Sequence, residues 1–165
     1  MENQNPPETS QAFSIWIDND ACPRRIRELV FKAAKRLNLE VFVVANSFMH
    51  LPKDINAKMI CVGSHLDAAD DYIAVHVRSC DIVITEDVPL AGRVVEKKAV
   101  AISPRGRLFD TQSINEQLAM RNLMQELRSS GQIQGGGQGE FDVTNVNKFA
   151  AQFDKLLMQR VKSTR

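Results

Sequence analysis

The chain has 165 residues, of which 44% are hydrophobic and 25% charged, and its 21 basic and 20 acidic side chains give a formal net charge of +1 at pH 7. This length and composition are typical of one globular domain and exclude a collagen-like, coiled-coil or wholly disordered chain. The near balance of charge argues against a protein that coats nucleic acid without specificity, because such proteins are strongly basic.

An odd count of three cysteines argues against a disulfide framework and favours a reducing compartment. The first residues lack both the basic and the apolar region of a signal peptide. No apolar run approaches the roughly 20 residues that a membrane span needs. We therefore expect a cytoplasmic protein with no membrane segment.

The first third of the chain alternates apolar runs with one amphipathic stretch. Polar, proline-containing residues 1–12 predict a disordered tail, and residues 13–17 form an apolar run typical of a buried strand. Apolar side chains at helical spacing predict a helix over residues 23–37, whose proline suits the first turn. The apolar runs at 41–45 and 58–62 predict two further strands, the first of them typical of a parallel strand covered on both faces.

The middle of the chain continues the same alternation. Ser64 and Asp67 have the spacing of a capping box, which predicts a helix that ends at Val77. The apolar run at 81–85 predicts the fourth strand. Asp87 is expected to cap the next helix, which has a proline in its first turn.

The last third of the chain opens with a fifth strand, predicted at residues 99–102. Ser113 and Glu116 have the spacing of a second capping box, at the start of a long helix. Residues 131–139 hold five of the eight glycines and are expected to form a flexible connector. A final amphipathic helix is predicted after Thr144.

Strands that alternate with helices predict an α/β fold, with a mostly parallel sheet of about five strands and right-handed crossovers, in a single domain over residues 13–165. The two C-terminal helices are expected to pack on this sheet or on a partner subunit, so a homodimer is one assembly we consider. The first of these helices carries an apolar stripe formed by Met120, Leu123, Met124 and Leu127.

Ligands of open parallel sheets bind outside the carboxyl ends of the strands, so the residues that follow each strand are the candidates for chemistry. We expect these strand ends to converge on one crevice that holds carboxylates and an arginine. The polar and charged side chains at these positions are Asp18, Asn19, Asp20, Asn46, Ser47, Thr85, Glu86, Asp87, Ser103, Arg105 and Arg107.

Asp18 and Asp20 follow the first strand two residues apart, so both side chains would point the same way if the strand extends that far. Two neighbouring carboxylates repel each other unless a cation joins them. Oxygen-rich sites of this kind suit Mg²⁺ or Mn²⁺. The alternative is that Asp20 only caps the helix that begins at Pro23.

A second group of carboxylates lies at the start of the predicted central helix. Asp70 shares a face with Ile73 and Val77, which are expected to pack inward, and Asp71 lies beside it. A carboxylate on an inward face needs a partner or a metal, and the alternative is a core aspartate paired with an arginine. For Asp87, after the fourth strand, the alternative to a metal ligand is a helix cap.

The remaining candidates would contact a substrate. Arg105, in the run Ser-Pro-Arg-Gly-Arg, is expected to clamp a phosphate oxygen, although this run would also suit a solvated turn. With it we assign Asn46, Ser47, Thr85 and Ser103 as candidate substrate-binding residues.

Several motifs in this sequence resemble those of the YaiI/YqxD family of bacterial proteins, over about residues 14–157. They include a glycine pair before Phe141. The longer motifs are Ile15–Pro23, Val44–Ser47, Asp67–Ile73, Asp81–Ala91 and Ser103–Gly106.

The family is similar in turn to the PIN-like nuclease superfamily, which implies a three-layer α/β/α sandwich whose carboxylates bind Mg²⁺ or Mn²⁺. By position, Asp18 matches the acid after the first strand of that superfamily. Asp70 or Asp71 matches the acid on the central helix, and Asp87 matches the acid after the fourth strand.

The sequence departs from these patterns at two places. Asn19 replaces the residue between the two acids of the opening motif. Val88, Pro89 and Leu90 stand where PIN-like nucleases usually carry a further acid, so Asp20 would have to substitute for it. If Asp20 does not, a binding role is favoured over catalysis.

The leading hypothesis is a metal-dependent ribonuclease or related phosphodiesterase that acts on RNA or another phosphate-containing substrate. Its catalytic residues would be Asp18, Asp20, Asp70 and Asp87, and the same four with Asp71 would hold Mg²⁺ or Mn²⁺.

Two alternatives come from the same residues. The first is a phosphatase resembling the haloacid dehalogenase superfamily, with Asp18 as nucleophile, Asp20 as general acid and Asp87 as Mg²⁺ ligand, and with Lys97 or Lys98 as its lysine. The second is a non-catalytic module that binds RNA or a protein through the same edge of the sheet.

Overall fold

The computed structural model describes residues 12–134 and 140–163. The predicted tail, apart from residue 12, and residues 135–139 of the predicted connector lie outside these ranges. The strands are β1 (Ile15–Asp18), β2 (Val41–Ala45), β3 (Ala57–Cys61), β4 (Ile82–Ile84), β5 (Val100–Ile102) and β6 (Leu108–Phe109). The helices are α1 (Arg24–Leu37), α2 (Ala68–His76), α3 (Val88–Glu96), α4 (Thr111–Ser129) and α5 (Val143–Ser163).

In the described part of the chain, the strands form one six-stranded sheet in the order β3-β2-β1-β4-β5-β6. Strands β1 to β5 are parallel, which confirms the predicted α/β class, and β6 pairs antiparallel with β5 at the edge. The sequence does not indicate β6, because a two-residue strand has no readable periodicity. The strand order reverses beside β1, which has β2 on one side and β4 on the other, so a crevice is expected at their carboxyl ends.

Both faces of the sheet are covered, which gives the three layers. Ile15 and Ile17 of β1 pack with Phe149 and Phe153 of α5 on one face, within the core that also includes α1. Trp16, which points the other way, stacks on the Phe42 ring at 4.4 Å, within the core formed with α2 and α3. A central strand buried on both faces has continuous apolar residues, which is why the sequence indicates it so clearly.

A buried aspartate ties β1 to β4 at the amino edge of the sheet. Asp81 is fully buried; its Oδ1 accepts a hydrogen bond from the Ser14 amide at 2.8 Å, and its Oδ2 accepts one from Trp16 Nε1 at 3.0 Å. The Arg78 amide also donates to Oδ2 at 2.9 Å. Asp81 therefore has a structural role.

Both predicted capping boxes are wrong in their details. Helix α2 begins only at Ala68, and Asp67 takes the cap position with a φ of 63° and no side-chain cap hydrogen bond. Helix α4 is capped by Asp110, whose Oδ1 accepts from the Ser113 amide at 2.7 Å while Ser113 Oγ accepts from the Asp110 amide at 3.0 Å. Ser113 is thus the third helical residue of a box that begins three residues earlier.

Helix α4 is anchored mainly near its start. Ile114 is its buried residue, and two members of the predicted apolar stripe, Met120 and Leu123, are exposed. These exposed members of the stripe do not pack on the sheet, and packing on a partner subunit, the other expectation, stays a prediction. Within the described ranges, none of the five helices is both long and apolar enough to cross a membrane.

Candidate active site at the carboxyl edge of the sheet

A cavity of about 460 Å³ opens at the carboxyl edge of the sheet, beside the point where the strand order reverses. Asn46, after β2, lines it together with residues 63–67, which lead into α2. Its lining within the described ranges includes the carboxylates Asp18, Asp20, Asp67, Asp70, Glu86 and Asp87. These carboxylates come from three separate segments, so the cavity is strongly acidic.

Asp18 is the most buried of these acids, with 5% of its surface exposed at the end of β1. Thr85 Oγ1 donates to its Oδ2 at 2.8 Å and accepts from the Asp87 amide at 3.0 Å, so one hydroxyl connects two acids of the cavity. The pKa of Asp18 is raised to about 6, chiefly by burial and also by the nearby charges of Asp20 and Asp87, against the lowering effect of the Thr85 hydrogen bond.

Asp70 lies in the first turn of α2 and is partly exposed to the cavity. Its pKa is raised to about 7, chiefly by burial and also by the neighbouring charges of Asp87 and Asp18. The alternative of a core aspartate paired with an arginine is wrong, because Asp70 lines an open cavity. The fold therefore brings Asp18, Asp70 and Asp87 close enough to repel one another.

Asp87 combines two roles that the sequence analysis set against each other. Its Oδ1 accepts a hydrogen bond from the Leu90 amide at 2.8 Å, which confirms the predicted cap of α3, and the residue also lines the cavity. A carboxylate has two oxygens with about four lone-pair sites, so one capping bond leaves acceptor capacity for a ligand.

Asp20 reaches the cavity in a different way from the one expected. The strand ends at Asp18, and a single 3₁₀ turn over Asn19–Ala21 follows, with Asp20 exposed within it. The alternative that Asp20 caps the first helix is wrong, because Pro23 occupies the cap position of α1.

Asp71 does not join this group. It is exposed, lies outside the cavity lining and forms an ion pair with Arg93 of α3 at 2.7 Å. One step along a helix turns the side chain by about 100°, so Asp70 and Asp71 face different surroundings. We therefore correct the assignment of Asp71 as a metal ligand.

The predicted substrate-binding residues separate into four groups. Asn46 lines the acidic cavity, whereas Ser47 is exposed outside its lining. Thr85 is buried and positions Asp18, so its assignment as a substrate contact is corrected. Ser103 and Arg105 line a second cavity next to the acidic one, so Arg105 is not placed to clamp a phosphate inside the first.

Two lining acids, Asp67 and Glu86, were missed as site residues. Glu86 stands among the residues that follow the fourth strand, so its position in the sequence was an available signal. Asp67 was assigned only to the start of a helix, and its left-handed backbone conformation cannot be read from the sequence.

The structure also bears on the expected metal site and on the lysine of the phosphatase alternative. Across residues 12–134 and 140–163, no three His, Cys, Asp or Glu side chains converge closely enough to hold a metal ion by themselves. Lys97 and Lys98, the lysines considered for a phosphatase, lie before β5, at the amino edge of the sheet. There Lys97 Nζ donates to the carbonyl oxygen of Val75 at 2.8 Å.

Comparisons with known proteins agree with the resemblance drawn from the motifs. The family model described as "Uncharacterized BCR, YaiI/YqxD family" matches residues 16–159. A UPF0178 protein of Geobacter sulfurreducens is 45% identical over 150 residues, which is 91% of this chain and 99% of the relative. A UPF0178 protein of Shewanella sp. strain MR-7 is 43% identical over 152 residues, which is 92% and 99% of the two chains. No solved structure matches the chain significantly.

Proposed function

The chain belongs to the YaiI/YqxD family, and we propose that it is a Mg²⁺- or Mn²⁺-dependent phosphodiesterase whose substrate is RNA. One observation carries this proposal: six carboxylates from three segments of the chain line one open cavity at the carboxyl edge of the sheet. Like charges gathered in this way repel one another, and a bound dication would offset the repulsion. The PIN-like resemblance of the motifs supports the same reaction class.

The donor chemistry of the cavity fits such an ion. All the acidic donors are oxygen atoms, which Mg²⁺ and Mn²⁺ prefer. No three His, Cys, Asp or Glu side chains of the described residues converge closely enough to hold an ion by themselves. Mg²⁺ usually takes only one or two protein carboxylates, together with waters and substrate phosphates. A phosphodiester is itself an anion and would be repelled by this cavity, so substrate and cation would enter as a pair.

The chain's own residues have distinct roles in this mechanism. Asp18, fixed by the Thr85 hydroxyl, and Asp87, fixed by its capping bond, would hold the ion from two adjoining strand ends. Asp70 faces them from α2 and would accept a hydrogen bond from the attacking water. When bound, a dication of this class activates water and neutralises charge on the phosphate oxygens. Asp20, at the exposed rim, would accept hydrogen bonds from the water molecules around the ion and so orient them.

The phosphatase alternative receives less support. Its lysine would have to approach the phosphate, but both candidates lie at the amino edge of the sheet, opposite Asp18. A non-catalytic binding module remains a distinct outcome of the test below.

The test is hydrolysis of single-stranded RNA by the purified protein in Mn²⁺, Mg²⁺ or EDTA, with wild type beside Asp18→Asn. The matched control is Asp154→Asn, an exposed carboxylate of α5 paired with Arg36 at 3.5 Å. We expect cation-dependent cleavage that falls about a hundredfold or more in Asp18→Asn, as for the loss of a group that stabilises the transition state, and persists in the control.

Three results would contradict the proposal. Equal cleavage by wild type and Asp18→Asn would place the chemistry elsewhere or in a contaminant. Hydrolysis of phosphomonoesters but not of RNA would favour the phosphatase. RNA binding without turnover in either cation would favour the non-catalytic module.

A further inference from the structure

A second cavity, of about 420 Å³, adjoins the acidic one, and Glu86 lines both. The other charged residues of its lining are Arg105, Arg107 and Lys148, so three cations face one carboxylate. Asn145 and Gln117 add amide groups that can donate hydrogen bonds. Two cavities of opposite charge thus lie side by side at one edge of the molecule.

The turn that carries the two arginines is closed by Ser103, which is buried. Its Oγ accepts hydrogen bonds from the amides of Arg105 at 3.2 Å and Arg107 at 3.1 Å. Its own amide donates to the Arg107 carbonyl oxygen at 2.8 Å, and its carbonyl oxygen accepts from the Gly106 amide at 2.9 Å. These four bonds fix the positions from which the arginines project.

A glycine allows this turn to contact helix α5. Gly106 has a φ of +87°, and a Cβ atom there would lie 2.7 Å from the Lys148 carbonyl carbon and 2.8 Å from the Phe149 nitrogen. Contacts this short are forbidden, so a residue with a side chain would push the turn away from the helix. The close approach is what brings Lys148 beside the two arginines.

The Arg105 guanidinium is held in place by three neighbours. Its Nε lies 3.7 Å from Glu86 Oε1, and its central carbon lies 5.7 Å from the centroid of the Phe141 ring. With the Asn145 amide in the orientation that satisfies its hydrogen bonds, the Asn145 oxygen accepts from Nη1 at 3.2 Å. A planar guanidinium fixed in this way is suited to the bidentate recognition of a phosphate.

We propose that this basic cavity binds a second phosphate of the substrate chain, one that neighbours the phosphate attacked in the acidic cavity. The inference rests on the proposed function. The acidic cavity takes a phosphate only with a cation, whereas the basic cavity binds one directly, and Glu86 marks the boundary between them. The substrate is therefore a polynucleotide with consecutive phosphates, and a lone diester occupies only half of the site.

The first test measures binding in EDTA by the fluorescence anisotropy of a labelled single-stranded RNA oligonucleotide, so it does not depend on catalysis. The variant is Arg107→Glu with Lys148→Glu, both at exposed positions, and thermal unfolding verifies that it is folded. The control is Lys155→Glu, an exposed lysine two turns further along α5 and outside the cavity. We expect affinity to fall about tenfold for each lost phosphate contact, and its salt dependence to weaken, in the double variant alone.

The second test compares substrates in the presence of Mn²⁺. In the double variant we expect KM to rise for the oligonucleotide and to stay unchanged for bis(4-nitrophenyl) phosphate, which has one phosphate. The inference is overturned if the double variant binds the oligonucleotide as tightly as wild type does. It is also overturned if inorganic phosphate displaces the RNA when its concentration is no higher than that of the oligonucleotide. Loss of RNA binding in the double variant, with no turnover by wild type, supports the basic cavity and contradicts the proposed function.

Discussion

Asp18 and Asp70 titrate far from the usual range of an aspartate, with pKa values of about 6 and about 7, chiefly because burial disfavours their charged forms. In the unfolded chain both return to a pKa near 3.8. The folded protein therefore binds protons that the unfolded chain releases between about pH 4 and 7. By linkage, the contribution of these two groups to stability is complete below about pH 4 and is lost as the pH rises towards 7.

The first prediction is that Asp18→Asn is more stable than wild type at pH 7.5 in EDTA, by about 1–3 kcal/mol, because a buried and repelled charge is removed. At pH 4 the difference should be close to zero, since Asp18 is then protonated. Urea unfolding at several pH values measures the difference. Added Mn²⁺ should reduce the difference in stability between the two proteins at pH 7.5, because an ion that binds only the folded state stabilises wild type. A wild type that is more stable than Asp18→Asn across this range would contradict the prediction.

The second prediction separates two adjacent acids of α2. Asp70→Asn should lower kcat/KM for RNA about a hundredfold or more, since it removes an oxygen from the acidic cavity. Asp71→Asn should leave kcat/KM nearly unchanged and lower stability by less than about 1 kcal/mol, because it breaks only an exposed ion pair with Arg93. Steady-state kinetics on both variants is the measurement, and comparable losses in the two would place Asp71 in the site after all.

At the scale of elements, the sequence predicts the central strands and most helices well because burial on both faces leaves unbroken apolar runs. The run at 41–45 coincides with β2, whereas the amphipathic β3, at the sheet edge, is shifted by one residue from its prediction. Helix starts were harder to predict, because a serine or aspartate suits both the cap and the third position of a box. Ser113, predicted as the cap with Glu116 at the third position, itself takes the third position, and Asp110 is the cap.

Thr85, between β4 and α3, connects two acids of the acidic cavity, because its hydroxyl bonds to both Asp18 and the Asp87 amide. The third prediction is that Thr85→Val raises the pKa of Asp18 above its present value of about 6, because the hydrogen bond that lowers it is lost. The acid limb of the pH–rate profile should then move to higher pH, since a metal ligand must be deprotonated. Stability should fall by about 1–2 kcal/mol, because the Asp87 amide loses its acceptor. Thr85→Ser retains the hydroxyl and should have the pH–rate profile and the stability of wild type. If the acid limb of the profile does not move in Thr85→Val, the assigned role of Thr85 is contradicted.

At the scale of the whole molecule, the sequence placed Asp18, Asp20 and Asp87 at the correct edge, because every parallel strand ends there. It did not predict the separation of that edge into an acidic and a basic cavity. That separation depends on Gly106 and Lys148, which are brought together only when α5 packs against the turn after β5. The backbone conformation of Asp67 likewise depends on the loop before α2, which has no periodic signal.

The two edges of the sheet use buried aspartates in opposite ways, and this gives the fourth prediction. Asp81, at the amino edge, accepts hydrogen bonds from Ser14, Trp16 and Arg78. Asp18, at the carboxyl edge, accepts one from the Thr85 side chain and lies near the charges of Asp20 and Asp87. Asp81→Asn should therefore lower the free energy of unfolding by about 2–4 kcal/mol, because an NH₂ group would face N–H donors. Asp18→Asn, the same change on the neighbouring strand, should raise the free energy of unfolding at neutral pH.

Urea unfolding of both variants at pH 7.5 in EDTA provides the comparison, with RNA cleavage measured at a temperature where each is folded. Asp81→Asn, at the amino edge, should keep the cleavage activity per folded molecule. Asp18→Asn, at the carboxyl edge, should lose this activity. Shifts of the same sign in the two variants would mean that Asp18 is held by its Thr85 hydrogen bond as securely as Asp81 is by its donors. The carboxyl edge would then carry no electrostatic strain for a cation to relieve.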